Sequence, residues 1–285
     1  MSVIRTVLIT GATGFVGRAT DAALADAGWK ITQGARSMGV SVTPGVVHID
    51  LADPITILAL AQGPRYDAIV HLGAQIGWSG ASESEMYAPN VLATGCLAYL
   101  AGLWDAHLIY ASTAIVYGAR NEAISSESPV CPDTAYAKSK WLGEQLLEAS
   151  NARHCILRIA GVFGNNGPAH LGLNHAIEGA IKGEPPLQVG SGSALRNYVY
   201  VKDVAQAIVY ALRVRAMGTH LLAGHEIISV GEMLKQVCDI LAPGMHPVVK
   251  SGVQAMNQVV VPSAFLPKTR SFRASLIDIR EEIGQ

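Results

Sequence analysis

The chain has 285 residues, half of them apolar and 15% charged, with a formal net charge of −1. That composition builds a sizeable core and excludes a disordered chain. A near-neutral balance with no run of like charges argues against nucleic acid or an anionic membrane surface as the main partner.

Cys96, Cys131, Cys155 and Cys238 form no C-x-x-C pair and lie within or beside apolar stretches, so buried free thiols in a reducing compartment are expected. The nine histidines show no H-E-x-x-H or similar spacing, so no metal site is expected. The N-terminus does not read as a secretory signal, and no apolar run reaches the roughly 18 residues of a membrane span. The expectation is a soluble, cytoplasmic protein.

The first predicted elements are a buried strand at Val7–Thr10, a turn punctuated by Gly11, Gly14 and Gly17, and a helix from Arg18 to Ala27. A strand, a glycine turn and a helix opening on that turn make a cradle for a dinucleotide pyrophosphate. Gly11 permits the tight turn, Gly14 admits backbone N–H groups to the phosphates, and Gly17 allows close helix–strand packing. The spacing is G-x-x-G-x-x-G rather than the commoner G-x-G-x-x-G. Strands follow at Trp29–Ala35 and Val46–Ile49, then a helix at Pro54–Gln62 and a strand at Ala68–Leu72. A polar stretch, Gln75 to Pro89, precedes a long helix from about Asn90 to Leu103. A strand at His107–Ser112, a loop at Ser125–Thr134, a helix at Ala135–Ser150 and a strand at Cys155–Ile159 complete the alternation. This alternation predicts an α/β fold, a doubly wound parallel sheet of Rossmann type with a small C-terminal substrate lobe.

From Gly164 the composition turns to Gly, Asn, Pro and His, with a helical piece at Leu173–Lys182. An amphipathic helix returns at Asp203–Val214, and the remainder reads as short mixed elements with several prolines. The expected division is a dinucleotide-binding domain over 1–165 completed by 196–218, and a small substrate lobe over 166–195 and 219–285.

Tyr136 and Lys140 stand four apart on one predicted helix, so phenol and ammonium share a face. A nearby cation favours phenolate and lowers the tyrosine pKa from about 10, which makes Tyr136 a candidate general acid or base. Ser112 and Thr113 place hydroxyls at the carboxyl end of their strand. The glycine turn, Asp50 and Gly73 fall at the same edge, where open parallel sheets bind ligands.

These motifs, in this order, resemble the extended short-chain dehydrogenases/reductases of the epimerase/dehydratase type, from Val3 to about Leu212. Gly11, Thr13, Gly14, Phe15, Val16 and Gly17 resemble the family's cofactor turn, and Asp50-Leu51 its adenine contact. Leu72-Gly73-Ala74, following His71, resembles the strand end beneath the nicotinamide ribose, and Asn90 the asparagine that opens the central helix. Arg158 with Val162-Phe-Gly164, and Arg196 through Asp203, resemble its later signatures. The resemblance implies that Tyr136 exchanges a proton with the reacting oxygen and that Lys140 binds the ribose hydroxyls and lowers the Tyr136 pKa. It implies that Thr113, with Ser112, orients substrate, that Ile159 lies along the cofactor, and that Arg196 meets a substrate phosphate. It also implies hydride transfer with a nicotinamide cofactor and a homodimer through the helices Asn90–Leu103 and Ala135–Ser150.

Three departures bear on function. The second strand ends in Ala35-Arg36-Ser37 in place of an acidic residue for the ribose 2′-hydroxyl; a guanidinium suits a 2′-phosphate, so Arg36 and Ser37 point to NADP(H) ahead of NAD(H). Gly161 stands where nucleotide-sugar enzymes of the family often carry Asn, and Ile159-Ala160 replace larger residues. The lobe from Asn165 onward is short. The expected activity is hydride transfer at a secondary alcohol or ketone of a nucleotide sugar or related polyol. An epimerase that retains NAD is the alternative. A dehydratase is disfavoured because Ala114 and Ile115 follow Thr113, and a non-catalytic redox sensor because the Tyr/Lys pair is kept.

Overall fold

Strand β1, Thr6–Thr10, lies inside a seven-stranded sheet because Val7, Leu8 and Ile9 are apolar on both faces, and all three are fully buried. This is seen in the computed structural model, which describes residues 5–36, 44–77, 82–118, 120–253 and 255–284. β2 (Lys30–Ala35), β3 (Val46–His48), β4 (Ala68–His71) and β5 (His107–Thr113) follow in chain order. The sheet runs strand Gly218–Leu222, strand Arg153–Ile159, β5, β4, β1, β2, β3. β1 pairs in parallel with β2 and β4, β2 with β3, and β4 with β5. The order reverses beside β1, which is the topological switch point of the predicted doubly wound fold.

Two compact units divide the chain. The first comprises residues 1–119, 129–158 and 205–220, and the second 120–128, 159–204 and 221–285. Residues 120–128, 159–165 and 196–204 of the expected dinucleotide-binding domain fall in the second unit, and 219–220 of the expected lobe fall in the first.

In the first unit, α1 (Phe15–Asp26), α2 (Pro54–Leu58), α3 (Glu83–Tyr87), α4 (Ala93–Trp104) and α5 (Ala135–Glu148) cover the sheet. Leu97, Leu100, Ala101 and Trp104 of α4 pack with Leu8, Ile69 and Leu108 of the sheet and Leu147 of α5 in one core. The central helix starts earlier than expected. A capping box at Ser82–Glu85 opens α3, and a π-helical turn, Ala88–Leu92, joins it to α4. Pro89 explains the wide turn: it lacks an N–H and its ring crowds the carbonyl four residues back, so the helix absorbs it without breaking. The resulting helix, Ser84–Trp104, is long and apolar enough by composition to cross a bilayer, with mean hydropathy 1.2. More than half of that stretch is buried, and its apolar side covers the sheet.

In the second unit, short two-stranded pairs join Val162–Phe163 to Val199–Tyr200, Leu187–Val189 to Val248–Lys250, Ala123–Ile124 to Val259–Val260, and Leu195–Arg196 to Ile228–Ser229. Buried Asn197 stitches them, its Nδ2 donating to the carbonyls of Gly224 and Val260 and its Oδ1 accepting from the Val260 N–H. The C-terminal stretch is more helical than its prolines suggest, holding two twelve-residue helices, Val230–Leu241 and Phe272–Ile283.

Candidate active site

The glycine turn is built as its spacing requires. Gly11 has φ +74°, and a Cβ there would lie 2.6 Å from the Gly73 nitrogen. A Cβ on Gly17 would overlap the Gly11 carbonyl oxygen. Gly14 is the N-cap of α1 and offers no side chain to its first turn, leaving the backbone N–H groups there to an anionic ligand. Thr13 is exposed, and Phe15 and Val16 are half-buried. Arg18 donates to the Thr13 carbonyl, 2.9 Å away, which holds the turn. Leu51 closes over Gly73 so tightly that a Cβ on Gly73 would stand 2.5 Å from Leu51 Cδ1. Asp50, two residues past the end of β3, accepts from the Ala52 N–H at 3.0 Å. Leu72 and Ala74 flank Gly73 and are half-buried, with the Leu72 N–H on the Thr10 carbonyl. These residues fit a dinucleotide: space kept clear of Cβ atoms, unpartnered helix N–H groups, and a carboxylate at the sheet's carboxyl edge.

Arg36 is exposed immediately after β2. Ser37 lies outside the described residues. Thr113 ends β5 and caps the following 3₁₀ turn, its Oγ1 accepting from the Ile115 N–H at 3.4 Å.

Thr134 starts α5 by accepting from the Ala137 N–H at 3.1 Å, which sets Tyr136 in the first turn and Lys140 one turn on. Tyr136 is half-buried and Lys140 only 2% exposed. Lys140 Nζ sits 4.0 Å from the ring centroid of Tyr110. Burial pushes the Tyr136 phenol up to about 12 and pulls Lys140 down to about 7, the latter partly offset by Glu144. The phenol is thus raised where a lowering was expected, through loss of hydration.

His71 is 1% exposed and its pKa falls to about 3 through burial, with the Lys140 charge second. Thr94 donates its hydroxyl to the Asn90 carbonyl at 2.8 Å, so its oxygen accepts from His71 Nε2. Nδ1 is left to accept from the Thr10 hydroxyl at 2.7 Å.

Three expected contacts are differently employed. Ser112 donates to Glu144, which also receives the Arg158 guanidinium at 2.6 Å, and Arg158 reaches Tyr117. Ser112 thus serves a buried ion pair, because alternation along β5 turns it to the opposite face from Thr113. Asn90 is fully buried by the π turn. Its amide accepts from the Gln75 N–H and donates to the Gln75 carbonyl and Ser139 hydroxyl, so it anchors the loop after β4. Arg196 belongs to the second unit, where its Nη1 is held by the carbonyls of Leu195 and Met256. Ile159, the last residue of its strand, is buried in the same unit. Glu144 escaped the sequence reading; its signal was the third place, eight residues on, in the Tyr136–Lys140 face.

The NAD dependent epimerase/dehydratase family matches residues 7–231, which include the glycine turn, Thr113 and the Tyr136–Lys140 pair. The chain belongs to this family. It is a nicotinamide-dependent enzyme of the extended short-chain dehydrogenase/reductase type. It is 27% identical to the dTDP-6-deoxy-L-talose 4-dehydrogenase (NAD(P)(+)) of Kitasatospora kifunensis, over 98% of this chain and 89% of that protein. It is 30% identical to the UDP-glucose 4-epimerase of Azospirillum brasilense, over 72% of this chain and 68% of that protein. The fold is shared with the UDP-N-acetylglucosamine 4-epimerase of Bacillus cereus, with a TM-score of 0.84, 22% identity, and coverage of 98% of this chain and 96% of that one.

Proposed function

We propose that this family member catalyses net hydride transfer between NADP(H) and a secondary alcohol or ketone of a deoxy-sugar nucleotide or related polyol. The observation that carries the reading is a half-buried Tyr136 phenol one helical turn from the buried Lys140 side chain, on the helix that follows β5 beside the glycine cradle. The cofactor supplies or accepts the hydride when bound. Tyr136 donates its phenolic proton to the oxygen of a carbonyl being reduced, and takes it back in the oxidation. Lys140 holds the ribose hydroxyls and stabilises the transient phenolate. Thr113 donates to the substrate oxygen. Gly11, Gly14 and Gly17 admit the pyrophosphate to the α1 N-terminus, and Asp50 with Leu51 receives the adenine.

Arg36 supports the NADP(H) preference, since no carboxylate stands at the end of β2 to repel a 2′-phosphate. A homodimer is supported by exposed Leu92, Tyr99 and Leu103 along the central helix and Leu146 on α5. Free cysteines support a reducing compartment such as the cytoplasm; Cys155 and Cys238 are buried as expected, whereas Cys96 is half-buried and Cys131 is exposed. The second reading, an epimerase that keeps its cofactor and returns the hydride, is favoured by the identity to the Azospirillum UDP-glucose 4-epimerase.

Calorimetric titration with NADPH tests the assignment. Wild type should bind, Tyr136→Phe should bind equally, and Lys140→Met should bind at least tenfold more weakly. Equal binding by Lys140→Met would remove Lys140 from the cofactor site.

A further inference from the structure

The buried ammonium of Lys140 needs something to face it. Glu144, one turn further along α5, is the nearest carboxylate on its helix, but its oxygens are committed to Arg158 Nε and Nη2 and to the Ser112 hydroxyl. What lies against Lys140 Nζ is the ring of Tyr110, 4.0 Å away at its centroid. Tyr110 is fully buried on β5, and its hydroxyl reaches the Lys140 carbonyl at 3.4 Å. One side chain therefore touches both ends of the same lysine.

The approach is built into the packing. A Cβ on Gly143 would lie 2.5 Å from the Tyr110 hydroxyl oxygen and 3.0 Å from the Asn90 carbonyl oxygen, so the absence of a side chain there lets α5 settle on β5. On the neighbouring strand, His71 is in register with Tyr110, their rings 5.5 Å apart and tilted by 35°. His71 is itself fixed from two sides by Thr10 and Thr94. A neutral imidazole, hydrogen-bonded at both ring nitrogens, thus lies beside the Tyr110 ring.

We infer that Tyr110 is a positioning residue for Lys140: the face of its ring holds the buried ammonium in place and favours its charged form. An aromatic face carries negative quadrupole density, and its attraction for a cation grows when water is excluded. The titratable groups facing Lys140 are Tyr110 from β5, His71 from β4, and Glu144 and Tyr136 from its own helix. Among them Glu144 favours the ammonium, while burial opposes it. The ring adds a second favourable contact that carries no charge, so it holds the cation without drawing it away from a ligand.

The inference deepens the proposed role of Lys140, but its test does not depend on that role. The full-length protein carrying lysine labelled with ¹³C at Cε is titrated by NMR, with the Lys140 signal identified by its loss in Lys140→Met. Tyr110→Phe keeps the ring and removes the hydroxyl. Placing 3,4,5-trifluorophenylalanine at position 110 alone keeps the shape and depletes the ring face of electron density. The expected result is a Lys140 pKa unchanged in Tyr110→Phe and lowered by about one unit, a tenfold change in dissociation, with the fluorinated ring. Equal values for the two rings would overturn the inference. So would a shift in Tyr110→Phe as large as that of the fluorinated protein, because it would assign the effect to the hydroxyl. If the NMR shifts follow the expected pattern while Lys140→Met still binds NADPH normally, the cofactor role fails and the positioning role stands.

Discussion

At Tyr136, burial raises the phenol to about 12, so at neutral pH the residue carries the proton that a general acid must supply. Tyr136→Phe should lower turnover by about 10²- to 10⁴-fold, as expected for a positioned acid or base, with cofactor affinity unchanged. Steady-state rates on a folded variant check this, and near-wild-type turnover would contradict it. Lys140 carries the opposite strain. Its folded pKa of about 7 lies below its ordinary value near 10.5, so between those pH values the unfolded chain binds more protons and stability rises with pH. The cost of burying the ammonium is fully present below about pH 7 and is relieved toward pH 10. Lys140→Met should therefore be more stable than wild type by about 1–3 kcal/mol at pH 7, the gain fading by pH 10. Urea denaturation at both pH values measures it; a loss of stability at pH 7 would contradict it. Arg36 is exposed, so its effect on a 2′-phosphate is screened. Arg36→Ala should still reduce the preference for NADPH over NADH by about tenfold, and adding Ala35→Asp should reverse it. Titration with both cofactors decides, and a wild-type preference for NADH would make Arg36 a surface charge only.

At the scale of elements, Gly143 is where α5, β5 and the central helix meet. Gly143→Ala drives a methyl group toward the Tyr110 hydroxyl and the Asn90 carbonyl, and should cost about 1–3 kcal/mol of stability. Combining it with Tyr110→Phe should recover part of that loss, and strict additivity in a double-mutant cycle would contradict the contact. The strands of the first unit were legible because Val7–Ile9, Ala68–Val70 and Leu108–Tyr110 are apolar runs of strand length. The start of the central helix was not, because Pro89 reads as a breaker and the structure absorbs it in a π turn. Ser82 and Glu85 carried the missed signal, a capping box. The two C-terminal helices were hidden by flanking prolines and by loops whose partners come from distant sequence, such as the Ser263 hydroxyl on the Leu221 N–H. Among site residues, spacing alone gave the glycine turn and the Tyr136–Lys140 face. It could not show that Ser112 turns to Glu144 or that Asn90 turns to Gln75, since both depend on packing between elements.

For the whole molecule, the central question is where the hydride goes. A net reductase releases its changed cofactor each cycle, whereas an epimerase can hold it because the hydride returns to the same sugar. No carboxylate stands at the end of β2, and the exposed Arg36 is screened by salt, so the adenine end should exchange with solution. The proposed dimer through the central helix and α5 is tested at exposed Tyr99: Tyr99→Glu should leave a monomer in sedimentation where the wild type is a dimer, and a dimer unaffected by that charge would place the interface elsewhere. The most direct measurement follows the reduced-nicotinamide absorbance band while the desalted protein is mixed with NADP⁺ and a deoxy-sugar nucleotide bearing a free secondary alcohol. A stoichiometric rise in that band, absent in Tyr136→Phe, is the predicted result. Interconversion of sugar isomers with no net change in the band, by protein that keeps its cofactor through desalting, would contradict it and assign the chain to the epimerases.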